Sequence, residues 1–342
     1  MKMALIKSKS HSTTLFKFNN VKAPIFTSMF FCLTFLCSTS CSKHDIACGS
    51  DNVQPVPTYS YPAWHPSGKY IAFDYLPLQS AQKSGNGPCS EFSYAYYPDS
   101  SGLWVMNNDG SGKRQVTHFQ VKDPCWSPSG DWLAFSVKGL LYKMPFDGYV
   151  FDTTRMVVLT TSGIGSSPSF TDTGDSLYFK GDTSARGDAA YLFKMAADGT
   201  GLTVFQDTKN IMNDPRCISS GEVLYGSYDS LTKQGQLFSF RGNMSTVRRI
   251  TSTSDVYKVK NRPAYFGDYI YYEQYGLWRV KADGSNSVKL CGDSYEGYTV
   301  SSNGKIAWVN FDLQTLNKTS GTIWVMDADG SNKKQITFNN TF

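Results

Sequence analysis

The stretch DPCWSPSGDWLAF (residues 123–135), followed by LLYKMPFDG (residues 140–148), recurs six times along this chain in different spellings. Each copy joins a short strand, a turn rich in Pro, Ser and Gly, and an apolar run to a second apolar run that ends at a glycine. The closing glycines are Gly110, Gly148, Gly199, Gly242, Gly284 and Gly330, at steps of 38, 51, 43, 42 and 46 residues. One structural unit is therefore repeated along most of the chain.

Each copy is predicted to form four short strands. In the second copy, Asp123–Trp126 and Trp132–Ser136 flank a turn, Leu140–Met144 forms a third strand, and the dipeptide Asp147-Gly148 predicts a hairpin into a fourth strand that ends near Leu159. Repeats of about 40–50 residues that are built from four antiparallel strands are typical of β-propeller blades. The sequence therefore predicts an all-β fold, a six-bladed β-propeller of four-stranded antiparallel blades.

The middle strands of the copies are continuous apolar runs such as Leu103–Met106 and Leu133–Phe135. Strands buried on both faces have this pattern, so we expect each blade to pack against a neighbour on either side, with most aromatic side chains in between. The first copy begins with a first strand and the last ends with a fourth strand. We therefore expect the ring to close without a strand shared between the first and last blades.

The first forty residues predict an export signal. Five lysines and no acidic residue precede an apolar stretch over roughly Ile25 to Leu36, and small residues then lead to Cys41. We expect residues 1–40 to be a signal peptide, residues 41–56 a short tether and residues 57–342 the propeller. Without residues 1–40, the 33 basic residues fall to 28 against 28 acidic ones, which predicts no basic surface for nucleic acid.

The sequence lacks an obvious catalytic set. It has no G-x-S-x-G motif, and the histidines beyond the signal peptide, His44, His65 and His118, are too scattered for a triad or a multi-histidine metal site. His65 replaces a turn serine, so we expect it on the solvent-facing rim. Cys48 and Cys89 form the one candidate pair for a disulfide bond. We expect no cofactor and no metal, with a Ca²⁺ or other cation at the pore mouth left open as the one exception.

The pattern PxWSPxGxxIAF followed by LWVMxxDGxxxxxIT resembles the repeat of TolB-type propellers over about residues 57–340. It is carried by Pro62, Trp64, Pro66, Gly68, Ile71, Phe73, Leu103, Trp104, Met106, Asp109 and Gly110, and again by Pro124, Trp126, Ser127, Pro128 and Gly130. The resemblance implies a fold more than a function, because related propellers are binding modules, the propeller of the Tol–Pal envelope system, caps on prolyl peptidases and some polysaccharide lyases.

The residues before Cys41 resemble the signal of bacterial lipoproteins of the Bacteroides group. That resemblance implies lipidation of Cys41 and attachment to the membrane through the lipid alone. Because Ser42 rather than Asp follows the cysteine, it implies an outer-membrane lipoprotein that faces either the periplasm or the outside.

The two ends of the blades differ in their loops. The S-P-x-G and D-G turns are short and lie at one end, called the turn face below. The connections between second and third strands, and between blades, lie at the other end, the variable-loop face; the longest are Tyr75 to Gly102 and Phe311 to Gly321. Recognition is usually carried by loops that vary on a fixed scaffold. Within the first of these inserts, Tyr94, Tyr96 and Tyr97 either contact a sugar or protein or pack back on their own blade.

The starts of the first strands bring one residue per blade to the pore at this face: Tyr61, Asp123, Ser167, Asp214, Arg262 and Gly297. Asp123 and Asp214 either hold a cation or a ligand ammonium, or accept hydrogen bonds from amides around their own X-Pro step. Together with Arg262 and the three tyrosines they form the candidate site. We therefore predict a non-enzymatic envelope lipoprotein that binds or scaffolds an envelope protein or a glycan. The alternative is a carbohydrate-active enzyme, a lyase or hydrolase-like propeller, that uses the pore-mouth carboxylates.

Overall fold

The computed structural model describes residues 58–84, 91–161, 164–182, 191–206, 212–218, 221–229, 234–252, 261–292, 294–310 and 321–339. Within these ranges the chain forms six four-stranded antiparallel sheets and one separate two-stranded hairpin. The predicted signal peptide, Cys41, the tether, Cys48 and Cys89 lie outside the described residues. In the described part, no helix is long and apolar enough to cross a membrane.

The strands follow one another blade by blade. Blade one contains β1 (Tyr59–Trp64), β2 (Tyr70–Tyr75), an inserted hairpin of β3 (Leu78–Ser84) and β4 (Glu91–Tyr96), a 3-10 turn (Pro98–Ser100), β5 (Gly102–Asn107) and β6 (Arg114–Gln115). Blade two contains β7 (Lys122–Trp126), β8 (Trp132–Val137), β9 (Leu140–Pro145), a 3-10 turn (Thr153–Arg155) and β10 (Val157–Val158). Blade three contains β11 (Ile164–Phe170), β12 (Ser176–Asp182), β13 (Tyr191–Ala196) and β14 (Thr203–Gln206).

The second half of the ring repeats this order. Blade four contains β15 (Met212–Ile218), β16 (Glu222–Asp229), β17 (Gln234–Arg241) and β18 (Asn243–Arg249). Blade five contains β19 (Asn261–Phe266), β20 (Tyr269–Glu273), β21 (Leu277–Lys281) and β22 (Val288–Cys291). Blade six contains β23 (Ser294–Val300), β24 (Lys305–Asn310), β25 (Thr322–Asp327) and β26 (Lys334–Gln335). The predicted six-bladed propeller of four-stranded blades is thereby confirmed.

The ring closes as the sequence predicts, because every described blade is built from its own strands. The interface between blades six and one uses the same contact as an ordinary interface. Across it, the Trp64 backbone N–H donates to Thr299 Oγ1 at 3.3 Å. Between blades three and four, the Cys217 N–H donates to Ser169 Oγ at 3.0 Å in the equivalent position. In the described part of the chain, side-chain contacts of the repeat and a hydrogen bond from the Tyr59 N–H to the Gly321 carbonyl at 2.9 Å, rather than a shared strand, therefore join the last blade to the first.

The core lies between the blades. The middle residues of the second strands, such as Leu133, Ala134 and Phe135 in β8, have no exposed surface. Leu133 and Phe135 belong to the apolar cluster shared with blade one, whereas Ala134 belongs to the cluster shared with blade three. Successive side chains of a strand point to opposite faces, so each second strand contributes apolar side chains to the interfaces with both neighbouring blades. This explains the continuous apolar runs in the sequence.

His65 lies between blades one and two, so the expectation that it faces solvent at the rim is wrong. Only 8% of its surface is exposed, and its ring lies 4.6 Å from the ring of Trp126. The Ser67 backbone N–H donates to Nδ1 at 3.1 Å, so Nε2 carries the proton and donates to the Gly130 carbonyl at 3.2 Å. Burial lowers the pKa of His65. The imidazole thus links two neighbouring turns and stabilises the contact between blades one and two.

Candidate functional site

The six predicted pore residues form a ring of unusual backbone conformation. Tyr61, Asp123, Ser167, Asp214 and Arg262 have φ between 47° and 52°, and the sixth position is Gly297 with φ 111°. In every first strand the pairing with the second strand slips at this point, as in a β-bulge. A left-handed backbone is unfavourable for residues other than glycine. Contacts made by the ring must therefore offset that cost.

Arg262 makes the strongest of these contacts. Its Nη1 donates to Glu273 Oε2 at 2.8 Å, and its Nη2 lies 3.8 Å from Asp123 Oδ1. Asp123 belongs to blade two and Arg262 to blade five, so this pair reaches across the axis of the propeller. The guanidinium also lies over the ring of Tyr61, 5.4 Å from its centre. The side chain of Arg262 thus occupies the centre of the predicted pore mouth.

Asp123 and Asp214 accept hydrogen bonds from the following blade. Asp123 Oδ2 accepts from the Ser167 backbone N–H at 3.3 Å, and Asp214 Oδ2 accepts from the Arg262 N–H at 3.2 Å. The Ser167 hydroxyl donates to Asp214 Oδ1 at 2.6 Å. The carboxylates therefore bind backbone amides, as one of the two alternatives predicts, but not those of their own X-Pro steps. They bind the amides that the left-handed ring position of the next blade presents.

This cluster is mostly shielded from water. The side chains of Asp123 and Arg262 are 13% and 22% exposed. Burial raises the pKa of Asp123; the Arg262 guanidinium opposes that rise and the Asp214 carboxylate adds to it. Burial acts to lower the pKa of Arg262, but the carboxylates of Glu273, Asp214 and Asp123 together raise it. These three candidate residues therefore satisfy one another, and this end of the pore is occupied by their side chains.

The three candidate tyrosines lie apart from that cluster, on the inserted hairpin of blade one. Tyr94 and Tyr96 are two residues apart on β4 and so share a face of the strand. Both are half-buried, whereas Tyr97, which follows the strand, is 43% exposed. Burial raises the pKa of Tyr94, and the adjacent Tyr96 contributes. The structure thus brings the tyrosines together as one group but does not join them to Asp123, Asp214 and Arg262.

A cavity of about 340 Å³ occupies the propeller axis. The first strands of all six blades line it, with Arg262 at one end and turn residues such as Pro66, Pro128 and Ser302 at the other. Pro128 and Ser302 are exposed. The cavity therefore opens toward the turn face, opposite the variable-loop face where the sequence predicts the site.

No group of three or more His, Cys, Asp or Glu side chains within the described ranges is arranged to hold a metal ion. Cys125 and Cys217 form no disulfide bond within the described residues, and burial raises the pKa of Cys217 to about 12. Cys217 replaces the aromatic residue of its repeat and lines the cavity. A thiol with so high a pKa is a weak nucleophile near neutral pH.

No protein-family model and no curated protein matches this chain. Among solved structures it is similar to TolB from Acinetobacter baumannii, with a TM-score of 0.60 and 16% identity over 78% of this chain and 63% of that one. Putative TolB from Agrobacterium tumefaciens gives 0.53 and 18%, over 66% and 84%. The fold is a TolB-like propeller. Oligogalacturonate lyase from Vibrio parahaemolyticus gives 0.51 and 12%, over 84% and 79%. The chain thus spans less than two thirds of the length of the Acinetobacter protein.

Proposed function

We propose that this chain is a non-enzymatic binding or scaffolding module of the bacterial cell envelope, which holds a partner protein or a glycan through its variable-loop face. One observation carries the proposal: an aromatic hairpin, β3–β4, is inserted between two neighbouring strands of an otherwise regular propeller and pairs with no blade in the described part of the chain. A rigid ring that displays one irregular, partly exposed element is the usual design of a recognition module.

Further exposed aromatic residues on the same face support this assignment. Phe119 lies in the link from blade one to blade two, Tyr275 between β20 and β21, and Phe338 after β26. Tyr275 is 72% exposed. Large aromatic side chains at the surface are enriched in binding sites because they bury much apolar area at little entropic cost. A TolB-like fold is compatible with a binding or scaffolding role.

The test replaces Tyr94, Tyr96 and Tyr97 together by Ser. Crosslinking in intact cells detects a protein partner and a glycan array detects a glycan; whichever assay gives a signal with the wild type should lose it, because the aromatic contacts are removed. The melting temperature should stay within a few degrees, and Tyr149→Ser, which removes an exposed tyrosine from the turn face, should bind normally. If the triple variant unfolds, the tyrosines serve packing. If it binds as well as the wild type, the partner docks elsewhere.

The location of the protein belongs to the same proposal. We infer an outer-membrane lipoprotein anchored through Cys41, supported by the lysine-rich start, the apolar stretch and the small residues before that cysteine. Cys41→Ala should move the protein from the membrane fraction to the soluble fraction. A variant that still sediments with membranes would exclude this anchor.

The enzymatic alternative rests on Asp123. Burial raises the pKa of this carboxyl group, and general acid catalysis by a carboxylic acid depends on such a raised pKa. One similar fold is an oligogalacturonate lyase. Turnover of any member of a polysaccharide panel, oligogalacturonate included, that disappears in Asp123→Asn or Asp214→Asn would favour this alternative over the binding module.

A further inference from the structure

At one position of the repeat, the residue in one blade differs in size and charge from those in the other five. The second residue after the pore ring is small in five first strands, where it is Ala63, Cys125, Ser169, Ala264 and Thr299. In blade four the same position is Arg216. The strand pairing confirms the equivalence, since Ala63 lies opposite Ala72, Cys125 opposite Ala134 and Arg216 opposite Leu224. All six of these residues line the axial cavity. At this level of the cavity, Arg216 is therefore the one long cation among five small side chains, whereas Arg262 lies at the end of the cavity.

Arg216 differs from Arg262 in its partners. Arg262 is neutralised by Glu273 at 2.8 Å and by Asp123 at 3.8 Å. For Arg216 the described residues supply one contact, from Nη1 to the Pro168 carbonyl at 3.5 Å, and no carboxylate within 4.0 Å. A guanidinium has five donors in a planar fork, so most donors of Arg216 have no protein acceptor among the described residues. The charge of Arg216 helps to oppose the rise that burial causes in the pKa of the Asp123 carboxyl group, but Arg216 forms no direct ion pair with a described carboxylate.

The walls of the cavity provide the rest of a small-molecule site. Trp64, Trp126, Phe170 and Tyr265 contribute aromatic surface. The indole Nε1 of Trp64 is buried and has no acceptor in the described part of the chain, although Trp126 Nε1 donates to the Ala63 carbonyl at 3.1 Å. The only acidic side chain lining the cavity within the described residues is Asp172, at the exposed rim. The interior of the cavity therefore offers donors, and none of its described lining residues away from the rim is acidic.

We propose that the axial cavity binds a small carboxylate, which enters from the turn face and pairs with Arg216. A guanidinium matches a carboxylate in a planar, bidentate arrangement that a neutral ligand cannot reproduce. A volume of about 340 Å³ is at the lower end of ligand sites, so it suits a molecule the size of a monosaccharide or a short peptide end. This site is separate from the variable-loop face, so the proposal of a carboxylate site does not depend on the proposed function.

The experiment is calorimetric titration of the purified protein with matched acid and neutral probes. One arm compares galacturonic acid with galactose, and the other compares an acetylated dipeptide acid with its amide. At least one acid should bind, and its neutral partner should bind at least about tenfold more weakly, because a charge-assisted pair is lost. The arm that responds tells whether a sugar acid or a peptide carboxyl group is the source.

Variants assign the effect to the arginine. Arg216→Gln should weaken binding of the acid by about tenfold or more, and Arg216→Lys should recover part of it, because lysine keeps the charge but not the fork. Arg155→Gln removes an exposed charge from the same face outside the cavity and should leave binding unchanged. Circular dichroism of each variant checks folding; if Arg216→Gln does not fold, the loss of selectivity in Arg216→Lys decides. Equal binding of acid and neutral probes, unchanged binding by the Arg216 variants, or no binding of any probe at millimolar concentration overturns the proposal.

Discussion

A buried carboxylate next to the link between blades one and two makes stability depend on pH. Asp74 lies in β2 with 3% of its surface exposed, and its Oδ1 accepts from the Val121 backbone N–H at 2.9 Å. Burial raises the pKa of Asp74 from 3.8 to about 7, although the hydrogen bonds from Val121 and Gln120 and the charge of Lys122 oppose the rise. The folded protein thus holds a proton on Asp74 that the unfolded chain has already released at pH 5 to 6.

The sign and size of the pH dependence follow from the ordinary pKa of Asp74 and its raised pKa in the folded protein. Between about pH 4 and pH 7 the folded state binds more protons than the unfolded state, so the free energy of unfolding falls as pH rises, and it levels off above pH 7. The gap between 3.8 and about 7 corresponds to a cost of about 4 kcal/mol for the ionised form. About 2–3 kcal/mol of that cost develops between pH 5 and pH 8.

Asp74→Asn removes the charge and keeps an acceptor for Val121. The variant should therefore gain stability over the wild type by about 2–3 kcal/mol more at pH 8 than at pH 5. Urea denaturation followed by tryptophan fluorescence at the two pH values measures this difference. Asp268→Asn, which removes one acidic group from an exposed turn, is the matched control for the change in net charge. A gain that is equal at both pH values, or larger at pH 5, would refute the reasoning.

Three further predictions concern contacts between blades. Burial lowers the pKa of His65, so its contribution to stability should be lost as pH falls below about 6.5, and His65→Gln should remove that part of the acid sensitivity in the same urea assay. Gly130→Ala should lower stability by about 2 kcal/mol or more in thermal unfolding, because φ of Gly130 is 83° and the new Cβ would lie 2.3 Å from His65 Nε2. Gly221→Ala is the control, because Gly221 also has a positive φ but a Cβ there meets nothing within 4 Å. The difference between the two variants therefore measures the clash apart from the backbone strain. Ser167→Ala should cost about 1–3 kcal/mol in urea, because it removes the hydroxyl donor shared by Asp123 and Asp214, and an unchanged midpoint would contradict that role.

The repeat predicts the fold well because its signals are local. The turn at Ser127–Gly130 and the dipeptide Asp147-Gly148 determine where strands begin and end, and the predicted strands of the second copy agree with β7 and β8 within one residue. Six copies in phase then leave little choice of architecture. Closure without a shared strand also follows from the order of the copies, since no first or fourth strand is left over.

The site is harder to predict because its properties are not local. A residue before proline is expected to be extended, yet Asp123 and Asp214 adopt the left-handed region, and from there their carboxylates accept hydrogen bonds from the next blade. The prediction that His65 faces solvent is wrong for a similar reason: the sequence of its own turn does not reveal the neighbouring turn, whose Gly130 carbonyl accepts a hydrogen bond from His65. A signal for Arg216 is present in the aligned copies, as one arginine among five small residues, but its importance depends on the cavity.

The ring keeps the positions that stabilise the fold apart from the positions to which we assign binding. Positions that agree among the copies, such as the buried middle of β8, pack each blade against its neighbours and hold the ring closed without a shared strand. Positions whose residues differ among the copies are not needed for this packing. Two of them lie toward opposite ends of the axis: the hairpin β3–β4 on the variable-loop face, and Arg216 in the cavity open to the turn face. The cluster of Arg262, Glu273, Asp123 and Asp214, here called the Arg262 cluster, lies between them, and its members are held by hydrogen bonds and ion pairs. A ligand in the cavity and a partner on the hairpin can therefore be bound at the same time, and loss of one should leave the other unaffected unless the Arg262 cluster itself is broken.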